Sequence, residues 1–395
     1  MGHLQSVLAT VKVSSQYMLI HLILGSMTTF TSATSPLRLP AIAIILGLAL
    51  SIQNAIQHAP NVPIPLRGIL AMGAWIQVFN SHDILVHRRI NYTEHIEWKK
   101  ERGSIAIGDA IWFALSIPNN FRRLDTKWQI IPVYSFDGNP GKIPTRGKFF
   151  RERFRSIVLI CCTALFLFLI CSYLDWIPKQ NDIFSLLDKR SLLLNASWQT
   201  LPTQIHLFLF FIITIFLLHK AIYALLSVAA VFLHLSSPAH WPPFQASARE
   251  AWSIRRFWGF LPSNADFIIS VFPLRPNTIT YRYVRYFLCF FVSGMIHLLL
   301  DIAIGISLDD TGAMVFLPVQ PIAFAVEDVA KYLSKRYGVL QKDTAAKRII
   351  GYLWVVIFSF WSWRPWAYPV LKRALEVGEP ITSTYFQMRE SYSSM

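Results

Sequence analysis

The chain reads as all-α, a polytopic transmembrane helical bundle of about eight spans. Three observations predict this. Hydrophobic residues fill 54% of its 395 positions and the mean hydropathy is +0.42, while charged residues fall to 15%, well below the roughly one quarter usual in soluble domains. Apolar runs recur at the ~17 to 25 residues that a helix needs to cross a bilayer. The segments between them alternate between basic and basic-poor, and the alternation is consistent along the chain, as the positive-inside rule requires. A formal net charge of +15 does not argue for nucleic acid, because Lys and Arg fall between apolar runs rather than on one compact domain. Neither a repeat of about 20 to 50 residues nor a low-complexity tract is present.

Taken in order, the N-terminal stretch MGHLQSVLATVKVSSQYMLIHLILG lacks a basic start and a small-residue cleavage site, which predicts a first anchor rather than a removed signal peptide. Spans are expected near Gln16 to Phe30, Leu39 to Ile52 and Leu66 to Val78. Polar Asn80, Ser81, His82 and Asp83 then mark the exit from the membrane. From Ile84 to Phe154 the chain is long and basic, with Arg88, Arg89, Lys99, Lys100, Arg122, Arg123, Arg151 and Arg153 among its cations; this predicts a cytosolic loop. Within it, Gly108 to Leu124 has the pattern of a short amphipathic helix lying in the interface.

A fourth span covers Ser156 to Leu174. The basic-poor stretch from Asp175 to Gln204 should be luminal, and its sequon Asn195-Ala196-Ser197 would be glycosylated only on that side. Ile205 to Leu235 is either one long tilted helix or a span followed by an interfacial turn. A cytosolic stretch rich in aromatics and proline follows, then a span from Tyr286 to Ile306, a polar turn over Asp309 to Gly312, and a run from Ala313 to Ala330. The last span is Ile349 to about Pro369, with WVVIFSFWSWRPW placing tryptophans where an interfacial belt belongs. Cys161, Cys162, Cys171 and Cys289 all lie in apolar runs, which fits packing residues and neither a metal site nor a disulfide framework.

Chemistry concentrates in the run YFLCFFVSGMIHLLLDIAIGI, whose only ionisable side chains apart from its leading tyrosine and Cys289 are His297 and Asp301. An ionisable group inside a spanning helix is costly and faces protein or a water-filled cavity, and at i and i+4 the two share a face. Two readings stay open on the residues alone: a polar pair that only locks helices together, or an imidazole used as a base near neutral pH. Small Ser293 and Gly294, one turn earlier, admit a close neighbour. Two other stretches stand out on the cytosolic side. One is Trp241-Pro242-Pro243-Phe244 with Glu250 to Gly259, which taken alone reads as an interfacial anchor. The other is Gln320 with Glu327-Asp328, which reads as a solvated helix end.

The order WPPF, EAWSIRRFWG, FFVSGMIH, a Gln and Glu-Asp bearing span, then RIIGYLWVVIFSFW resembles the wax-synthase branch of the membrane-bound O-acyltransferases, and within it the fungal members that acetylate terpenoids and related secondary metabolites. The resemblance runs from about Pro65 to Pro369. It implies domains at 1–64 (N-terminal anchors), 65–375 (acyltransferase domain) and 376–395 (polar tail). It also implies an acetyl-CoA-dependent O-acyltransferase in the endoplasmic reticulum or another endomembrane, with no bound cofactor and no metal.

His297 would be the base for an acceptor hydroxyl, and Asp301 its orienting partner. Arg255, Arg256, Phe257 and Trp258 would flank the path of the acyl donor. Where many relatives carry a Trp-His-Gln or Trp-Asn sequence after FWG, this chain has Ser263 at the usual histidine position and Asn264 beside it. The resemblance therefore leaves Asn264 as the oxyanion or substrate contact, or else an inactive scaffold. Partners implied are the bilayer, acyl-CoA and a lipophilic alcohol. From the residues alone, a carrier using His297 and Asp301 as a proton relay is the rival; it calls for two related halves with interrupted helices, a symmetry the sequence lacks.

Overall fold

The computed structural model describes residues 2–58, 62–101, 108–130, 136, 143–173, 199–243, 250–258, 274–338 and 344–376. The sequon and Asn264 lie outside them, as does the tail beyond 376. Among the described residues the chain is helical, with no strand. Its helices are α1 (Gly2–Phe30), α2 (Arg38–Gln57), α3 (Ile64–His82), α4 (Tyr92–Lys100), α5 (Asp109–Ser116), α6 (Arg146–Tyr173), α7 (Leu201–Phe232), α8 (Ile254–Trp258), α9 (Ile279–Ala303), α10 (Ala313–Tyr337) and α11 (Ala345–Ser362), followed by α12 over 364–376. Among the described residues, five stretches can cross a membrane by length and composition: α2, α3 with its continuation to His87, α7, α9 and α10. The chain is a membrane protein with several apolar helices. The run after Gln204 is one helix of 32 residues, which decides between the two expected forms.

Two compact units divide the chain: residues 1–130, 261–321 and 373–395 in the first, and 131–260 with 322–372 in the second. In the first, α1, α2, α3 and α9 pack on a core in which Ile45, Ala49, Ile52 and Ile56 line one face of α2, the spacing that an apolar stripe requires. Gln53 sits on that same side, 7% exposed, and ties three helices together. It donates to the Leu299 carbonyl of α9 at 3.0 Å and accepts from the Trp75 indole of α3 at 3.1 Å. Buried in an apolar setting, such an amide stays only because its polar atoms are satisfied.

Asn80, Ser81 and Asp83 do not leave the membrane region for solvent; all are buried. A π turn over Asp83–His87, closed by Arg88 N–H to the Asp83 carbonyl at 2.8 Å, continues α3. Arg123 returns from the following loop. Its Nη2 donates to Asn80 Oδ1 at 2.6 Å and to Asp83 Oδ2 at 3.1 Å, its Nη1 to the Asn120 carbonyl, and Arg88 Nε closes on the other side of Asp83 at 3.0 Å. The polar cluster misread as an exit is half of a buried ion-pair network whose other half lies forty residues downstream. That network also limits the expected amphipathic helix: only Asp109–Ser116 is α-helical, and from 117 on the chain turns to carry Arg123 inward.

In the second unit α6 packs along α7, and the α7 side chains Phe208 and Phe211 meet Phe360, Trp363 and Trp366. On α11, Ile349, Ile350, Leu353, Val356 and Ile357 are exposed while Val355, Phe358 and Ser362 are buried, a helix half in protein and half toward lipid. The last span is broken where it was expected to be continuous. Pro365 cannot supply an N–H to continue α11, so the helix stops at Ser362 and α12 starts after Trp363 with proline in its first turn. Cys161 and Cys162 are exposed rather than packed.

Candidate functional site

His297 lies in the C-terminal third of the first unit's α9, half-buried. Its Nδ1 is 2.8 Å from the Ser293 carbonyl of the preceding turn. A carbonyl oxygen only accepts, so Nδ1 carries the proton and Nε2 is the basic nitrogen. The group that meets Nδ1 is thus the helix's own backbone and not Asp301, the orienting partner expected from sequence. Asp301 is fully buried, and its Oδ2 accepts from the Thr311 hydroxyl at 2.5 Å. That bond clasps the end of α9 to the turn before α10, where Gly305 at φ 92° lets the chain reverse and Arg373 Nε donates to the Ile304 carbonyl at 3.0 Å.

Gly294 explains how α10 comes so close to this part of α9. A Cβ there would stand 3.0 Å from Met314 Sδ, 3.5 Å from the Ala313 carbonyl and 3.7 Å from Leu317. Pro318 and Pro321 sit inside α10. Each removes the N–H that would bond a carbonyl four residues earlier, and those carbonyls belong to Met314 and Leu317. Beside the histidine's turn, then, the neighbouring helix has had its regular ladder interrupted twice. On the other side of α9, Val292 and Ile296 pack with Trp75 of α3.

The aromatic and basic stretch and the Glu-Asp pair come together in the second unit. Arg255 Nη2 forms an ion pair with Asp328 Oδ1 at 2.9 Å, donates to the Phe324 carbonyl at 3.3 Å and lies 5.3 Å over the Phe324 ring. Glu327, 7% exposed, accepts from the Ile254 N–H at 2.5 Å and from the Trp354 indole at 3.3 Å. These carboxylates are not a solvated helix end; they dock the arginine-bearing turn onto α10 and α11. Close approach is required again, because a Cβ on Gly351 would collide with the Trp252 carbonyl at 2.2 Å.

Arg256 pairs with Glu250 and stacks at 4.2 Å on Trp252, and Phe257 meets Trp258 edge-on at 5.7 Å. Trp241 and Pro242 are held separately. Arg153 Nη2 donates to the Trp241 carbonyl at 2.8 Å while its guanidinium stacks on Phe149 and Tyr223. Burial pushes the Arg153 guanidinium below its ordinary value, with Tyr223 and Glu152 pulling it back up.

Residues 241–319, from the tryptophan of WPPF through His297 to the first turns of α10, match the model of the membrane bound O-acyl transferase family. The resemblance is to that family. Among curated relatives, acetyltransferase aurG of Calcarisporium arbuscula is 30% identical over 173 residues, which cover 41% of this chain and 42% of the relative. Acetyltransferase fsoF of Humicola fuscoatra is 32% identical over 178 residues, 40% of this chain and 42% of the relative. Acetyltransferase ataH of Aspergillus terreus is 32% identical over 146 residues, 34% and 48% respectively. The chain thus matches less than half the length of each. No solved structure gives a significant match. The matched segment spans parts of both compact units and contains Arg255, Arg256, Phe257, Trp258, Asn264, His297 and Asp301. Glu327 and Asp328 lie beyond it. No single local pattern gave away their docking role, because a Glu-Asp pair near a basic helix end is also what a solvated terminus looks like.

Proposed function

We propose that the protein is an acyl-CoA-dependent O-acyltransferase, an acetyltransferase acting on a hydroxyl of a lipophilic secondary metabolite of terpenoid type in an endomembrane. The observation that carries the reading is His297: it falls within the segment similar to the O-acyltransferases, and its Nδ1 is engaged by the Ser293 carbonyl, so that Nε2 is the atom able to take a proton. In the proposed step Nε2 accepts the proton of the acceptor hydroxyl as that oxygen attacks the thioester carbonyl. The tetrahedral oxyanion collapses, the carbon–sulfur bond breaks, and the imidazolium returns the proton to the departing CoA thiolate. Ester and free CoA are the products, and no covalent enzyme intermediate is required.

Asp301, buried against Thr311, would act as a positioning residue that fixes the end of α9. Asn264 is proposed as a donor to the oxyanion. Arg256, half exposed beside Glu250, and the neighbouring Arg255, Phe257 and Trp258 are proposed to flank the CoA path, where a guanidinium suits phosphate oxygens. A lipid-soluble alcohol would reach this base laterally from the bilayer, and the relatives, each named an acetyltransferase, favour acetyl as the group transferred. Mass spectrometry of metabolites from cells with and without the protein, fed isotopically labelled acetate, tests the reading. An acetylated product present only with the protein is expected. Identical metabolite profiles, with the protein present in the membranes, would contradict it.

A further inference from the structure

Lys347 stands at an unexpected place in α11. Thr344 caps the helix, its hydroxyl accepting the Lys347 N–H at 3.3 Å. The third residue after such a cap is where a glutamate or glutamine would reach back and complete a capping box. A lysine stands there instead, followed by Arg348 and with no acidic residue in the first turn. Two cations therefore sit at the positive pole of the helix dipole, and helix stability does not account for them. The positive-inside rule favours basic residues at this end of the helix, but it does not say where their side chains rest.

The Lys347 side chain rests against another segment of the second unit. It is half-buried while Arg348 is exposed, and its Nζ lies 5.9 Å from the centre of the Trp252 ring. The same ring carries the Arg256 guanidinium at 4.2 Å. The backbone imposes this contact: Gly351, one turn after Lys347 on the same face of α11, has no side chain to hold the Trp252 carbonyl away. Two cations are thus brought to one indole from two segments, and like charges gathered in one place repel. Glu250 meets Arg256 and Asp328 meets Arg255, whereas Lys347 makes no ion pair among the described residues.

A half-buried ammonium held on an aromatic face, with a guanidinium beside it and no carboxylate of its own, suits a phosphate oxygen. The turn that it joins carries the arginines placed along the path of the acyl donor in the function proposed above, and a CoA thioester brings a diphosphate and a ribose phosphate to that path. Lys347 itself lies outside the matched residues 241–319. We propose that Lys347, together with Arg256 on the same indole, binds phosphate of the CoA moiety and sets the preference for CoA thioesters over thioesters without phosphate. This inference rests on the acyltransferase reading.

Equilibrium binding to the purified full chain in detergent tests it without an acceptor alcohol. Tritiated acetyl-CoA is titrated onto wild type, Lys347→Gln and Lys347→Arg, with S-acetylpantetheine, which lacks every phosphate, as competitor. Lys347→Gln is expected to weaken acetyl-CoA binding about tenfold and Lys347→Arg to recover it, while S-acetylpantetheine competes with the same inhibition constant in all three. Dephospho-CoA, which lacks the ribose phosphate, tells which group is met: the same tenfold loss in Lys347→Gln assigns the diphosphate and no loss assigns the ribose phosphate, and either supports the site. Equal binding of acetyl-CoA by wild type and folded Lys347→Gln overturns this inference and leaves the acyltransferase reading standing. Equal weakening of acetyl-CoA and S-acetylpantetheine also overturns it, since Lys347 would then act through the fold. No binding of acetyl-CoA by wild type would contradict the acyltransferase reading itself, and this inference with it.

Discussion

Arg123 and Arg364 are both buried arginines at helix breaks, yet they stand in opposite conditions. Arg123 meets Asn80, Asp83 and the Asn120 carbonyl through its two terminal nitrogens, with only Nε lacking a partner among the described residues, and Asp83 is shared with Arg88. Arg364 has two N–H positions that meet no partner among the described residues. A buried guanidinium met by a carboxylate of its own chain is part of the fold's wiring, whereas one without a counter-charge among the described residues costs the fold energy.

The comparison breaks most visibly if the paired guanidinium is removed. Arg123→Met leaves Asn80 Oδ1 without its donor and Asp83 with Arg88 alone, and should cost about 3 to 5 kcal/mol, read as a large fall in the temperature at which the purified protein unfolds or becomes protease-sensitive. A loss below about 1 kcal/mol would show that the network is not structural. Removing Glu327 is the next step down. Glu327→Leu orphans the Ile254 N–H and the Trp354 indole, for an expected cost of about 1 to 3 kcal/mol, and limited proteolysis should show earlier cleavage around residues 250–258. Arg364→Leu should be neutral or stabilising, because it removes a charge that no carboxylate among the described residues compensates. Strong destabilisation would place Arg364 with Arg123.

The smallest effect concerns pH. Burial holds His95, stacked on Phe113 and Trp98, below the ordinary histidine value, with Lys99 adding to the shift. The unfolded chain therefore takes up the proton first. Stability contributed by neutral His95 is complete above the ordinary value near 6.5 and is lost as pH falls through the lowered one. His95→Phe should flatten the stability profile below about pH 6.5, and an unchanged slope would assign the acid sensitivity elsewhere.

Sequence reading located the helices because apolar runs and basic loops are local signals. It found the Asp309 to Gly312 reversal and the close approach at Gly294 by the same local logic. What it missed depends on distance along the chain. Asn80 to Asp83 look like an exit until Arg123 is seen to return to them, and Glu327 looks solvated until Ile254 and Trp354 arrive. The orienting partner of His297 is expected to be the carboxylate nearby in sequence, although the Ser293 carbonyl, invisible in any list of side chains, supplies the bond. The break at Trp363 was readable from Pro365 and was overridden by the apolar run around it.

The central claim is that His297 Nε2 takes a proton from an alcohol. Ester formation from labelled acetyl-CoA and the acceptor, followed in membranes containing equal amounts of folded wild type and His297→Ala, tests it most directly. Loss of general-base assistance is expected to slow the reaction about 10²- to 10⁴-fold with little change in unfolding temperature. Ester formed at the same rate by both proteins would remove this imidazole from the chemistry.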